Sequence, residues 1–378
     1  MKLLVLGAGL MGSAAAYDSM NNGNFERVFV GDVDKERLKV VSKKTGAESL
    51  HVNVEKSESV KQAFRKVDVI LSAVPYFYNL KLTKIAISMG KNLCDLGGNI
   101  EVVHQQLALS EKARAKGVTI IPDCGLAPGM VNVLAAKLIS MLEIAENVRL
   151  RVGGLPQEPK PPLNYSLVFS PHGLINEYYE KCIVLRDGEI RYVEPLEEIE
   201  PLEFPGFPEL EAFNTSGGSS TLPFTFRGRV KNLDYKTIRY AGHCEKIKLL
   251  FALGLGSKEP VVVDGKKIIP RNLLAKLLEM YLPRGKDLVL LRVTATGYSE
   301  GTRKTLSYEM VDYFDEKTGH TAMMRTTAYP ASAVAKLISD GRMEKGVYTN
   351  EVAVNPDLFC AELKKRGLAL EFREEKGN

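Results

Sequence analysis

Three groups of residues have the types and spacing to do chemistry. In Tyr235-Lys-Thr-Ile-Arg-Tyr-Ala-Gly-His243 an arginine lies four residues before a histidine. A guanidinium is a fork for carboxylates, so Arg239 is a candidate to hold a substrate carboxylate. His243 opens an expected helix, Cys244 to Leu253, where the positive end of the dipole keeps an imidazole neutral. That suits a base or a neutral hydrogen-bond donor; a plain cap is the alternative. The second group is Asp123-Cys-Gly-Leu-Ala-Pro-Gly-Met130, ahead of an apolar helix from Val131 to Leu142. Asp123 either caps that helix or, with free N–H groups near Gly129, binds polar groups of a ligand. The third is Gly7-x-Gly9-x-x-Gly12 with Asp32 twenty residues on. Glycines so spaced permit a tight turn, an approach of backbone to pyrophosphate and close strand–helix packing, while the carboxylate binds both ribose hydroxyls of NAD.

These groups need elements to hold them. Leu3 to Leu6 reads as a buried parallel strand, Ser13 to Met20 as the helix after the glycine turn, and Arg27 to Gly31 as the strand delivering Asp32. A charged helix (Lys35 to Thr45), a third strand (His51 to Val54) and its crossover (Ser57 to Val67) follow. Val67 to Pro75 is a fourth strand whose small end, Ala73-Val-Pro75, leaves room for cofactor or merely ends a strand. Asn92 to Gly98 and Val118 to Pro122 complete an alternating pattern, which predicts a doubly wound parallel sheet. Ligands in such sheets bind beyond the strands' carboxyl ends, so Asp95, Gly97, Gly98, Asn99 and Asp123 lie at the expected mouth.

From about residue 148 the pattern changes. Val148 to Val152 precedes a proline-rich loop (Pro156 to Pro162), and Cys182 to Val193 reads as a hairpin around Asp187-Gly188. Pro195 to Pro208, acidic and proline-rich, is expected to be a surface excursion. Phe213 to Leu222 is a Gly/Ser/Thr loop, either a flexible turn or a site carrying Thr215, Ser216, Gly217 and Gly218. Leu288 to Thr296, Thr305 to Phe314 and His320 to Thr327 predict an antiparallel meander. A helix at Ala331 to Leu337 and another begun by Asn355-Pro-Asp return to the first domain. The expected organisation is a Rossmann domain over 1–124, completed by about 331–378, and an α+β domain with a mixed or antiparallel sheet over 125–330.

Composition bounds the rest. A length of 378 residues suggests two cores. A net charge of +5, spread over that length, leaves no basic patch for nucleic acid or an acidic membrane. The five cysteines (Cys94, Cys124, Cys182, Cys244, Cys360) are scattered without metal spacing, which points to a reduced, cytoplasmic protein with no metal. Lys2 and the apolar run after it mimic a secretory signal, yet cleavage there would destroy the glycine turn. No apolar run reaches the roughly 18 residues that span a bilayer.

Taken together, Gly7-x-Gly9-x-x-Gly12 with Asp32, Ser72 to Asn79, Cys94-Asp-Leu-Gly-Gly-Asn99, Asp123 to Gly129, Thr215-Ser-Gly-Gly218 and Arg239-Tyr-Ala-Gly-His243 resemble the saccharopine dehydrogenase-like family over residues 1 to about 340. Within it the likeness is nearest to the lysine 6-dehydrogenases. Ala241 departs from the proline expected before Gly-His. The resemblance implies a Rossmann domain, a second domain with an open mixed sheet that often forms a homodimer, and NAD-linked oxidative deamination of the L-lysine ε-amine in lysine degradation. Because that amine has a pKa near 10.4, neutralising it at pH 7 costs roughly 4 to 5 kcal/mol. On this reading His243 is the base, with Asp123 as the other catalytic candidate. Arg239 holds the α-carboxylate, and Asp123 or Asp95 the α-amine. Saccharopine and carboxynorspermidine dehydrogenases are alternatives, the former needing a further cation. A non-catalytic NAD-binding regulator is an alternative of another class, against which the presence of both Arg239 and His243 counts.

Overall fold

The computed structural model describes residues 1–168 and 170–376, which form two compact units. The first comprises Met1–Met141, Ser220–Leu222 and Met324–Leu370; the second takes Leu142–Ser219, Pro223–Met323 and the strand Glu371–Lys376.

The first unit is a doubly wound sheet of seven parallel strands. Across it run Gly346–Val347, Thr119–Ile121, Asn92–Asp95, Val69–Ser72, Lys2–Leu6, Arg27–Asp32 and Glu48–His51. Leu3 to Leu6 are wholly buried, as a strand with helices on both faces must be. The strand order reverses beside Lys2–Leu6, which places the ligand crevice at that strand's carboxyl end. The helix leaving it, Leu10–Asn22, packs through Ala14, Ala15 and Ala16. The next helix, Lys35–Thr45, is fixed at both ends. Asp34 accepts from the N–H groups of Glu36 and Arg37, and Gly46 closes it at φ +81°.

The second unit is built on a mixed nine-stranded sheet. Its main path runs Glu200–Leu202, Leu210–Asn214, Val230–Tyr240, Ile144–Pro156, Asp287–Ser299, Thr302–Tyr313 and Glu371–Lys376, with the hairpin Cys182–Arg186 and Glu189–Val193 joined to Val230–Tyr240. Among the described residues of this sheet only Ile144–Pro156 and Val230–Tyr240 pair in parallel; the other pairings are antiparallel. The expected α/β plus α+β class is therefore what the chain adopts.

Several expectations need correction. The third strand is Glu48–His51 rather than His51 to Val54, because pairing with Phe29–Asp32 sets its register. The first unit extends past residue 124 to Met141, since the helix Met130–Ser140 packs against the helices Asn350–Ala353 and Pro356–Lys365. His320 to Thr327 is not a strand but leads into the helix Ala322–Ser339. The carboxylate of Asp287 accepts from the N–H groups of Ala322 (2.6 Å) and Met323 (2.9 Å), capping a start that the local sequence does not advertise. The strand that does pair with Thr302–Tyr313 is Glu371–Lys376, so the chain after Leu370 joins the second unit and not the first. Within Pro195 to Pro208, Glu200–Leu202 is a sheet edge and Phe204 is buried, so this segment is only partly a surface excursion. No helix among the described residues is long and apolar enough to cross a membrane.

Candidate functional site

In the first unit the three glycines do three different jobs. Gly7 has φ +101°, and a Cβ there would lie 2.8 Å from the carbonyl oxygen of Ala73. A Cβ on Gly12 would lie 1.8 Å from the carbonyl oxygen of Gly7, so strand and helix could not approach. Gly9, the N-cap of Leu10–Asn22, has nothing within 4 Å of where its Cβ would be, leaving open space at a helix N-terminus. Asp32 is held by the N–H groups of Ala8 (2.7 Å) and Asp34 (2.9 Å), one on each carboxylate oxygen. Beside it is a crevice of about 270 Å³, lined by Asp32, Val33, Asn53, Val74 and Pro75 among others. This cradle fits a dinucleotide: the glycine turn and helix N-terminus would hold the pyrophosphate, Asp32 a ribose, and the crevice the adenine. Ala73 stands at the turn through its N–H bond to the Leu6 carbonyl (2.8 Å).

At the carboxyl ends of the next two strands lies a buried carboxylate cluster. Asp95 accepts from Gln106 Nε2 (2.7 Å) and from the N–H groups of Gly97 (2.8 Å) and Asp123 (3.3 Å). Burial raises its pKa above the ordinary carboxylate value. Asp123 sits at φ +59°, a conformation uncommon for a residue with a side chain. Its Oδ2 accepts from the Ser220 hydroxyl (2.5 Å), and its main-chain carbonyl accepts from Asn350 Nδ2 (2.5 Å). Its Oδ1 is buried and accepts no hydrogen bond of ordinary geometry from the described residues, although the N–H of Gly98 is near enough to the carboxylate to favour its charged form. A Cβ on Gly97 would lie 1.7 Å from that Oδ1, so only glycine tolerates the carboxylate in this position. Burial drives the Asp123 pKa up to about 8, helped by the charges of Asp95 and Glu351 and opposed by the Ser220 hydroxyl. A carboxyl group near that value exchanges protons at physiological pH. Asn99, by contrast, caps the helix Ile100–Leu107 by accepting from the N–H of Val102 (3.1 Å).

In the second unit, Tyr235, Thr237 and Arg239 fall on one face of Val230–Tyr240 by strand alternation. Arg239 is buried, with its guanidinium 4.7 Å from the centre of the Tyr165 ring. Its Nε donates to the Tyr178 hydroxyl (2.9 Å) and its Nη1 to the carbonyl of Ile238 (2.9 Å). Tyr178 lies 3.1 Å from His243 Nε2, and His243 Nδ1 lies 2.9 Å from the carbonyl of Leu163. The directions follow. Tyr178 accepts from Arg239, so its own O–H donates to Nε2, and the imidazole proton on Nδ1 goes to Leu163. Burial and the positive charge of Arg239 push the His243 pKa down to about 3, so the ring is neutral. With both ring nitrogens engaged and the side chain buried, His243 has no lone pair to offer a substrate. The base role is thereby withdrawn from it: His243 orients Tyr178, and through it Arg239. Nor does it cap its helix, His243–Ala252. That is done by Glu211, which accepts from the N–H groups of Gly242 (3.0 Å) and Cys244 (2.7 Å).

The Thr215–Gly218 loop is anchored. Thr215 and Thr237 hydroxyls are 2.6 Å apart, the N–H of Ser216 donates to the carbonyl of Glu177 (2.9 Å), and Gly218 lies so close to the Tyr235 ring that a Cβ would overlap it at 2.3 Å. Gly217 is at φ +89°. Sequence reasoning missed Tyr165, Glu177, Tyr178, Glu211, Ser220 and Asn350. Ser220 stood in plain view in the Gly/Ser/Thr loop; the others have no local pattern separating them from ordinary core or surface residues.

Comparison with known proteins agrees with this geometry. A family model described as the saccharopine dehydrogenase NADP binding domain matches residues 3–121, and one described as the saccharopine dehydrogenase C-terminal domain matches residues 125–368. The chain belongs to the saccharopine dehydrogenase family. Among family relatives, the carboxynorspermidine synthase of Vibrio cholerae is 24% identical, over 99% of this chain and 97% of its own length. The NADP(+), L-glutamate-forming saccharopine dehydrogenase of Saccharomyces cerevisiae is 21% identical over 90% and 92%. The mitochondrial alpha-aminoadipic semialdehyde synthase of Rattus norvegicus is 22% identical over 91% of this chain but 44% of its own; the chain thus spans less than half the length of these synthases. The solved apo saccharopine dehydrogenase (L-Glu forming) of Saccharomyces cerevisiae superposes with a TM-score of 0.81 at 20% identity, covering 100% of both chains, and shares the fold. The first unit is accordingly an NAD(P)-binding domain of this family.

Proposed function

We propose that this chain is an NAD-linked amino-acid dehydrogenase that oxidises the L-lysine ε-amine, releasing ammonia and the 6-semialdehyde, which cyclises to piperideine-6-carboxylate. The observation that carries the reading is Asp123, a buried carboxyl group with a free Oδ1 and a pKa near 8, at the carboxyl end of the sheet whose glycine turn suits a dinucleotide. Hydride can leave an amine-bearing carbon only after the ammonium has lost its proton. Passing that proton from a group of pKa about 10.4 to an ordinary carboxylate costs about 9 kcal/mol, whereas passing it to Asp123 costs about 3. Bound NAD supplies the hydride acceptor. In its ionised form, which predominates above about pH 8, Asp123 takes the ammonium proton, and water adds to the imine left after hydride loss. In balance, the ammonium, NAD⁺ and water give aldehyde, ammonium ion, NADH and one proton.

The choice of NAD rests on Asp32, whose carboxylate opposes a 2′-phosphate. Of the cations near it, Arg37 is paired with Asp34 at 3.2 Å, so those two charges largely cancel, and Lys35 softens the preference. Arg239 supports a substrate bearing a carboxylate.

A second reading has one observation in its favour. A saccharopine-type substrate needs another cation, and Arg271 is buried with its Nη1 donating to no group among the described residues. Its Nη2 is tied to Asn176, and the guanidinium lies 5.7 Å from the centre of the Tyr179 ring. Following NADH and NADPH absorbance with L-lysine, ornithine, saccharopine and carboxynorspermidine separates the readings. Turnover of saccharopine but not of L-lysine would overturn the lysine proposal, and no turnover of any of them would favour a non-catalytic regulator.

A further inference from the structure

We infer that Glu177 and Arg239 together form a receptor for the zwitterionic head group of an α-amino acid, Arg239 taking the carboxylate and Glu177 the α-ammonium. The inference rests on the amino-acid reading above and assigns the α-amine to a residue of the second unit rather than to Asp95 or Asp123.

Arg239 is buried and Glu177 half-buried, and neither has a partner of opposite sign. Among the described residues no carboxylate forms an ion pair with the Arg239 guanidinium, and no cation forms one with Glu177. Arg239 spends Nε on Tyr178 and Nη1 on the Ile238 carbonyl, while its Nη2 donates to no described group. The Glu177 carboxylate accepts no hydrogen bond from the described residues, although the main chain of the same residue is fixed, its carbonyl accepting from the N–H of Ser216 (2.9 Å). Glu177 is nevertheless near enough for the Arg239 charge to act on it and for its own charge to act on Tyr165, Tyr178 and Tyr235. A guanidinium withdrawn from water, as that of Arg239 is, is ordinarily paired with an anion, because leaving it unpaired forfeits its solvation without return; the half-buried Glu177 carboxylate keeps an open side on which a cation can land. Two opposite charges facing one cluster, more than an ion-pair distance apart, are what a ligand carrying both complementary charges would join.

The surroundings keep the two groups apart and in place. The Tyr165 ring covers one side of the guanidinium, and the Arg239–Tyr178–His243–Leu163 chain of hydrogen bonds fixes its direction. Glu177 belongs to the helix Pro171–Tyr179, adjacent to the Tyr178 that anchors Arg239.

Titration gives the pair a signature. Burial holds the Glu177 pKa up at about 7, against the pull of Arg239. The groups around it keep one protonation state between about pH 6 and pH 8.5: Arg239 stays charged, Tyr165, Tyr178 and Tyr235 are raised and stay neutral, and His243 is pushed down to about 3. An arriving ammonium therefore displaces a proton from Glu177 at acidic pH, roughly 0.9 per site at pH 6 and almost none at pH 8.5.

The test is calorimetric titration of the full chain, saturated with NADH so that no turnover occurs, with L-lysine and with 6-aminohexanoate, which lacks only the α-amine. Runs at pH 6 in buffers of different ionisation enthalpy count the protons released. With the parent chain we expect L-lysine to release more protons than 6-aminohexanoate, by up to about 0.9 per site; the ε-amine that both ligands bring to Asp123 contributes equally to the two and cancels in the difference. Glu177→Gln is expected to weaken L-lysine about tenfold or more at pH 8 while leaving 6-aminohexanoate within about twofold, and to abolish the extra proton release. Arg239→Lys should weaken both ligands. Unchanged binding of 6-aminohexanoate shows that Glu177→Gln is folded. Equal weakening of both ligands, no weakening of either, or an excess of proton release for L-lysine over 6-aminohexanoate that survives Glu177→Gln would overturn the assignment. Failure of the dehydrogenase reading shows separately, as absence of NADH formation with NAD and L-lysine, and leaves this binding test intact.

Discussion

Asp123→Asn should make the protein more stable and less active at once, with the gain in stability growing with pH. The carboxyl group is buried, and its pKa moves from the ordinary 3.8 to about 8, a difference worth roughly 5 to 6 kcal/mol. The sign follows from proton counting. Between about pH 4 and pH 8 the unfolded chain has given up this proton and the folded chain still holds it, so the contribution is fully present below pH 4 and is lost as pH rises through 8. Asparagine keeps the shape and an acceptor for the Ser220 hydroxyl but has nothing to titrate. The stability difference between variant and parent should therefore widen in favour of the variant by about 4 kcal/mol from pH 5 to pH 8. At about pH 8 and above, where the parent carboxyl group is ionised, the variant's turnover should fall by the roughly 10²- to 10⁴-fold expected when a general base is lost. Urea unfolding at half-unit pH steps measures the first effect, and initial rates of NADH formation the second. Parallel stability curves would show that the carboxyl group is not held protonated by burial, and a variant with parental turnover would remove Asp123 as the proton acceptor.

Three further outcomes follow from the same geometry. NAD should be used with a higher kcat/KM than NADP, and Asp32→Ser should narrow the ratio; a parental preference for NADP would take the ribose role from Asp32. Arg239→Lys, which loses the planar fork, should weaken use of a carboxylate-bearing substrate by about 2 kcal/mol with NAD affinity unchanged, and an equal loss of NAD binding would mark Arg239 as structural. For His243 the folded-state pKa of about 3 lies below the ordinary 6.5, so its contribution is present above pH 6.5 and is lost as pH falls through 3. His243→Asn should flatten that acid limb of the stability curve and leave the shape of the pH–rate profile unchanged, whereas loss of a kinetic pKa in the variant would restore His243 as a base.

The cofactor end of the molecule was legible in the sequence because its determinants are local. The glycine turn depends on residues within six positions of one another, and their roles follow from the absence of a Cβ, which no tertiary context can supply or remove. The alternation of strand and helix, set by periods of two and 3.6 residues, likewise carried the doubly wound sheet. Where boundaries failed, a distant partner decided. Asp287 caps a helix beginning at Ala322, and the last strand of the second sheet comes from Glu371–Lys376 after a passage through the first unit. The candidate chemistry shifted for the same reason. From sequence, His243 and Asp123 were both plausible bases, since residue type fixes only an ordinary pKa. Tertiary structure separated them by burying the imidazole between two hydrogen-bond partners beside a cation, while it set the carboxyl group among other acids with one oxygen left unpaired. Protonation depends on solvent and neighbouring charge within a few ångströms, and only the fold determines which residues those are.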